Sequence, residues 1–170
     1  KYSFDSTLSI KSIARFCQTK HLNFVILADH DSIEGSLALQ RFAACNRLDI
    51  EVPLAAEYKT SCGDVIAAFI QEEIKIKNFH SFAKEVKNQG GLIFFPHPFK
   101  GHPSSAIEEI ARAADLIEVI NARTDSIKNK KALDLAKKLQ KKTYHASDAH
   151  SFVELDNCIL EFPKNEDLKK

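Results

Sequence analysis

The sequence predicts an α/β domain with a mainly parallel sheet, either open or closed into a barrel. Three observations predict it. Short runs of apolar, branched and aromatic residues alternate with amphipathic stretches almost throughout. The run at residues 23–28 is apolar after its first position, as a strand covered on both faces requires. Three such runs stop abruptly in polar clusters: Asp29-His30-Asp31, Pro96-His97-Pro98 and Ser147-Asp148-Ala149-His150. In parallel β/α folds the loops converge at the carboxyl ends of strands, so chemistry gathers there.

Taken in order, Ser6 or Thr7 is the expected cap of a first helix. Its inner face carries Ile10, Ile13, Ala14 and Cys17, with Phe16 at the edge. His21 and Leu22 lead into the strand at 23–28. A second helix is expected over 33–47, striped by Leu37, Ala38, Phe42 and Cys45. Residues 50–56 read as a second strand ending at Glu57, interrupted by Pro53, which cannot donate to a ladder. Ser61-Cys62-Gly63-Asp64 reads as a turn before a third strand at 65–70. A third helix at 79–88 turns Phe82, Ala83 and Val86 inward, and Gly90-Gly91 ends it. Strand 92–95 runs into His97 and the loop Phe99-Lys100-Gly101-His102-Pro103. A short helix capped by Ser104 or Ser105 then extends to Ala113. Strand 116–120 ends in Asn121-Ala122-Arg123. A lysine-rich helix at 126–142 points Leu133, Ala136 and Leu139 inward, and strand 143–146 ends at Asp148 and His150. A last strand, edge or antiparallel, is expected at 158–162, before a charged tail.

One domain over 1–170 is the simplest division, since no repeat or linker interrupts the pattern. Hydrophobic residues make up 44%, which supports a packed core. A formal net charge of +1 gives no bulk argument for nucleic-acid or membrane binding. No apolar run approaches the ~20 residues of a membrane helix. Cys17, Cys45, Cys62 and Cys158 show no Cys-x-x-Cys spacing and lie in apolar surroundings. They read as buried free thiols of a reducing compartment, the cytoplasm. The chain opens on Lys1 and contains no Met, so its natural N-terminus is expected further upstream.

The strand ends supply Asp29, His30 and Asp31, then Glu57, His97, Asn121, Arg123, Asp148 and His150; Asp5 stands just before the first helix. Mixed imidazole and carboxylate ligands suit Zn, Mn or Fe better than Ca or Mg alone. Glu57 has two oxygens and can bridge two ions. Two ions held close together make a water nucleophilic at neutral pH and clamp a phosphoester in line. Each residue also has a plainer explanation: His30 and His97 as structural histidines, Asp31 and Asp148 as helix caps, Glu57 as a loop acid. Coincidence at five strand ends is the weaker account. His21 and His80 fall beside helix boundaries and read as surface residues; His145 lies inside a strand.

The segments Leu27-Ala28-Asp29-His30-Asp31-Ser32-Ile33-Glu34-Gly35, Pro96-His97-Pro98 and Ser147-Asp148-Ala149-His150 resemble motifs of the PHP (polymerase and histidinol phosphatase) superfamily. Ala56-Glu57 resembles its Gly-x-Glu strand end, and Lys1-Tyr2-Ser3-Phe4-Asp5 the tail of its first, His-x-His motif. The resemblance covers nearly the whole chain. It implies a distorted seven-stranded β/α barrel, here N-terminally truncated and missing its first strand, with a two- or three-metal phosphoesterase site. It implies metal ligands at Asp5, His30, Glu57 (bridging), His97, Asp148 and His150. Asp148 would also orient or deprotonate the metal-bound water, and Arg123 would meet the substrate phosphate.

Two departures stand out. The paired histidines of the first motif are not in this sequence, so the fragment alone is expected to bind metal weakly. Where many trinuclear members carry a histidine after the bridging glutamate, this chain reads Gly63-Asp64-Val65-Ile66, and Asp64 is a candidate replacement. Lys100 and His102, after His97, are candidates to line a phosphate pocket. The implied function is hydrolysis of a phosphate monoester or diester by metal-activated water. Its substrate is a small phosphorylated molecule, with nucleotides and oligonucleotides among the candidates. The alternative is a catalytically silent scaffold or nucleic-acid accessory domain; a weaker third reading is a metal hydrolase of amides.

Overall fold

The computed structural model describes residues 6–160. Helix α1 (Ile10–Thr19) starts at Ser9, not at Ser6 or Thr7. The Ser9 hydroxyl accepts the Ser12 N–H while the Ser12 hydroxyl accepts the Ser9 N–H, a reciprocal cap that fixes the start there. Helix α2 (Glu34–Cys45) follows Ile33 with no side-chain cap, so Asp31 does not serve as one. It buries Gly35, Ser36, Leu39 and Ala43, a stripe rotated from the one expected, and leaves Cys45 exposed. The reason is size: small residues let the helix lie close, with the Asp29 carboxylate occupying the space a Cβ on Gly35 would need. Of the four free cysteines, Cys17 is buried; the others are partly or fully exposed, which corrects the expectation of four buried thiols.

Strand β1 (Ala55–Thr60) begins after Pro53 instead of before it, and β2 (Gly63–Ala68) ends two residues earlier than expected. The two-residue connection forces these strands antiparallel. Helix α3 (Phe79–Asn88), capped by the Asn78 side chain, leads to β3 (Leu92–Phe95), which is antiparallel to β2. Helix α4 (Ser104–Ala113) starts after Pro103 with no serine cap. Strand β4 (Leu116–Asn121), helix α5 (Ser126–Leu139, capped by Asp125) and strand β5 (Lys142–Ala146) complete a parallel β3–β4–β5 half. The sheet is therefore mixed, in the order β1-β2-β3-β4-β5, and open among the described residues; seven strands and closure are not observed. The 23–28 run lies parallel beside 51–57, joined at Phe24–Glu51 and His30–Glu57. The bridges stay isolated, with Pro53, which has no N–H, between them. Residues 158–160 are not strand, and the rest of the expected last strand lies outside the described residues.

One face of the sheet packs Tyr58, Val65, Ile93, Phe95 and Ile117 against Phe82, Val86, Ile110 and Ala136 of α3, α4 and α5. Burying each such large side chain contributes about 1.5–3 kcal/mol. The other face packs Ala55, Ala68 and Phe94 with Ile26, Ile66, Phe69 and Tyr144. These two layers hold the strands from the sides and leave their ends to carry the polar clusters. No helix among the described residues is long and apolar enough to cross a membrane.

Candidate metal and phosphate site

Each of the three His/Asp clusters contains a left-handed residue: Asp31 at φ 53°, His97 at φ 30° and Asp148 at φ 50°. Such backbone is uncommon outside glycine and persists where surrounding contacts impose it. At each of these turns the chain bends sharply and its polar side chains meet their neighbours.

His30 lies beside Glu57 across a parallel bridge, with its Nδ1 3.8 Å from Glu57 Oε2. His97 Nε2 lies 3.3 Å from Glu57 Oε1. Glu57, only 14% exposed at its side chain, thus sits between two imidazoles. Burial works to lower the His97 pKa, but the hydrogen bond and charge of Glu57, with the charges of Glu118 and Asp148, outweigh it and the pKa is raised. The His97 position therefore favours positive charge.

Asp148 is 19% exposed and faces different company. Lys100 Nζ donates to its Oδ2 at 3.2 Å, Asn121 Nδ2 donates to the same oxygen at 3.2 Å, and Arg123 Nη1 stands 4.0 Å from Oδ1. Arg123 also donates to His150 Nδ1 at 2.5 Å. The Asp148 carbonyl is 2.9 Å from that same nitrogen. Arginine only donates and a carbonyl only accepts, so the two contacts belong to alternative tautomers of His150. In the second, Nδ1–H donates to the carbonyl and the ring's lone pair is on Nε2, the tautomer in which an imidazole ligates a cation.

Glu118 joins the two groups, and no motif or strand end in the sequence marks it. It is 3% exposed inside an apolar strand. Its Oε2 accepts the His97 N–H at 2.5 Å and the Asn121 side-chain N–H at 3.1 Å. The same Asn121 amide holds Asp148, so one buried carboxylate braces both clusters. Burial, against the opposing pull of those hydrogen bonds, pushes its pKa up to about 7. The available signal was a lone acid in Leu116-Ile117-Glu118-Val119-Ile120, where an unpaired charge is costly.

His102 packs edge-on against Phe95 at 4.9 Å and beside His97 at 5.6 Å between ring centres. Both its ring nitrogens, His97 Nδ1 and Tyr144 Oη are buried without a hydrogen-bond partner. The Pro96 carbonyl approaches the His102 ring outside hydrogen-bond geometry. Burial and the neighbouring His97 charge lower the His102 pKa, so it is a neutral imidazole near pH 7.

Of the sequence-predicted residues, His30, Glu57 and His97 come together, as do Lys100, Arg123, Asp148 and His150. Asp5 lies outside the described residues. Asp31 points outward and pairs with Lys77 at 2.5 Å. His80 pairs with Glu109 on the surface. Among the described residues no three His, Cys, Asp or Glu side chains close tightly enough to hold an ion as they stand. The donors nonetheless fit a divalent transition metal by chemistry. They are imidazoles and carboxylates, one acid already draws positive charge to its imidazole, and buried ring nitrogens await a partner. A separate cleft on other elements sets Glu34, Glu72, Glu73 and Glu85 against Lys75, a net negative lining that disfavours phosphate.

No protein-family model matches the chain. It is 28% identical to the uncharacterized protein MJ0417 of Methanocaldococcus jannaschii over 160 residues, 88% of this chain and 62% of that protein. It is 28% identical to a second uncharacterized protein of the same organism, MJ1587, over 144 residues, 82% of this chain and 83% of that one. The chain thus spans less than two thirds of the first relative's length. Among solved structures it resembles a two-domain Bacteroides vulgatus protein containing a predicted PHP-like metal-dependent phosphoesterase. The TM-score is 0.71 at 17% identity, over 91% of this chain and 51% of that one. It also resembles a candidate metal-dependent phosphoesterase of Bifidobacterium adolescentis, with TM-score 0.66 and 11% identity over 86% and 84% of the two chains. An amidohydrolase from Chromobacterium violaceum with bound sulfate and no metal gives TM-score 0.69 and 13% identity over 94% and 88%. The fold is PHP-like.

Proposed function

We propose that this chain is a metal-dependent phosphoesterase that hydrolyses a phosphate monoester or diester with metal-activated water. The observation that supports this most is the meeting of two acid–imidazole groups with two cationic side chains at one rim of the sheet. On this reading His30, Glu57, His97, Asp148 and His150, with Asp5, would hold two or three ions of Mn, Zn or Fe. When bound, such ions lower the pKa of a water and polarise a phosphoryl oxygen. The proposed setting is the cytoplasm.

The chain's own residues do the rest. Arg123 presents a planar fork of N–H donors to the substrate phosphate. Lys100 adds a second positive charge from the loop after His97 and, released from Asp148, turns to the same phosphate. Asp148 then takes the proton of the attacking water, held in place by the Asn121 amide. The substrate is a small phosphorylated molecule, with nucleotides and oligonucleotides among the candidates. His102 was expected to line the phosphate pocket, but its ring nitrogens face inward and suit a different partner.

Protein replete with manganese should hydrolyse an aryl phosphate, and Glu57→Ala should abolish that turnover. Inactivity of the wild type with every divalent transition metal tried sinks the proposal. One observation favours a silent PHP-like scaffold instead: no three described donors converge on a point. Elemental analysis separates the two, because a scaffold holds no stoichiometric transition metal.

A further inference from the structure

His102 is the residue the mechanism above leaves unexplained. A neutral imidazole carries one N–H and one lone pair, and here both ring nitrogens are buried and unmatched. Native proteins rarely leave such groups without a partner. The neighbouring His97 turns its Nε2 to Glu57.

The distances around the pair come close to those of a shared cation. Ligand nitrogens stand about 2.0–2.1 Å from a zinc-like ion and the ring centre lies about 1 Å further back, so two imidazoles on one tetrahedral ion have centres about 5 to 5.5 Å apart. The His97 and His102 centres are 5.6 Å apart, with planes inclined at 40°. Two ligand atoms about 2.0–2.1 Å from one tetrahedral ion are about 3.3 Å from each other. His97 Nε2 and Glu57 Oε1 are 3.3 Å apart.

The surroundings supply charge and room. Asp64 pairs with Lys59 in the β1–β2 ladder. It therefore shares the sheet face of Glu57, two residues from Lys59, and both acids act on the His102 charge. The hairpin residue beneath the ring is Gly63, at φ 130°, where a Cβ would come within 2.4 Å of His102 Nδ1. A bare glycine lets the ring lie against the hairpin. The loop that carries the ring contains Gly101 at φ 84° with open space around it, so the ring can shift the short way needed to close on an ion.

We propose that His102 is a metal ligand, closing with His97 and Glu57 around one divalent transition-metal ion, with Asp64 as the neighbouring acid. This rests on the metal-dependent reading above and adds to it a ligand supplied by the loop. Because Lys100 is on that loop and reaches Asp148, filling this position also fixes where a phosphate-binding lysine stands.

The test is cobalt(II) titration of the metal-free full chain, read by visible absorption and by equivalents bound, for wild type, His102→Ala, His102→Gln and the surface control His80→Ala. The expected result is that both His102 variants lose one equivalent, or bind it at least tenfold more weakly, with a changed cobalt spectrum, while His80→Ala matches wild type. Thermal melts in chelator check that each variant is folded, so that a lost equivalent reads as a lost ligand. Should both variants keep the stoichiometry, affinity and spectrum of wild type, the inference is overturned and the phosphoesterase proposal stands. Should the wild type take up no divalent metal at all, both fall together.

Discussion

Glu57 and Asp148 stand at two sides of one rim, yet their neighbours are of opposite kinds. Glu57 has ion-pair partners that are imidazoles among the described residues, at 3.3 Å from His97 and 3.8 Å from His30. Asp148 has Lys100 and Asn121 at 3.2 Å and Arg123 at 4.0 Å. An imidazole can give up its proton and turn a lone pair to a metal; lysine and arginine cannot do so near neutral pH. The same residue class thus does two jobs. On the proposed reading both carboxylates would bind ions, and the Asp148 side would add cationic donors for an anion and a base for the attacking water.

The sharpest way to break that contrast is at Glu57. Glu57→Gln removes the charge that two imidazoles face while nearly keeping the shape. Bound metal and turnover should fall together, with kcat/KM on an aryl phosphate reduced by at least about 100-fold. Elemental analysis beside the assay checks it: lost activity with full metal content would mean that Glu57 does not gather the ions.

The next effect concerns the brace between the two sides. The Glu118 pKa is raised to about 7, well above that of a carboxyl in an unfolded chain. Between about pH 4.5 and 7 the folded protein therefore holds a proton that the unfolded chain has released. Stability is complete below that window and is lost as pH rises through it, by about 3 kcal/mol for the shift given. His97, whose pKa is also raised, continues the loss above about pH 6.5. Denaturant melts of metal-free protein from pH 4.5 to 7.5 should show this slope, and Glu118→Gln should flatten most of it. An unchanged slope in the variant would assign the dependence elsewhere.

The order and type of most elements were legible because their periodicity is local. Helix α3 follows the expected bounds, and β3, β4 and β5 lie within a residue of theirs. The polarity of the sheet was not legible. Alternation of strands and helices suggested parallel strands, whereas the two-residue link after Thr60 makes an antiparallel hairpin. At the site, residue type and position after a strand marked His97, Asp148 and His150; Glu57, expected just past a strand, lies inside β1. Glu118 was hidden because it sits mid-strand, where only its cost, not its spacing, sets it apart. The tight αL turns at His97 and Asp148 have no glycine to announce them, and their geometry depends on contacts made far along the chain.

On the anion side, Arg123→Lys tests recognition without disturbing the ions. Lysine keeps the charge but loses the planar fork of donors. KM for a phosphate ester should rise about tenfold, kcat should change less, and metal content should remain that of wild type. A loss of metal in this variant would mean that Arg123 acts by holding His150 and not by meeting substrate, which would blur the division between the two sides.

The smallest effect is expected at a residue that the sequence alone cannot separate from its neighbours. Asp29, His30 and Asp31 follow one another, and any of them has the chemistry of a ligand. Asp31 adopts the left-handed turn that swings its carboxylate outward, where it is 49% exposed and bound to Lys77. Exposed pairs of this kind are worth about 0.2–1 kcal/mol. Asp31→Asn should therefore change stability by less than about 1 kcal/mol and leave metal content and kcat/KM close to wild type, whereas His30→Ala should lower both. Equal losses at the two positions would show that the outward turn of Asp31 is reversed when metal binds, and that the cation-gathering side extends one residue further along the loop than the Lys77 pair allows.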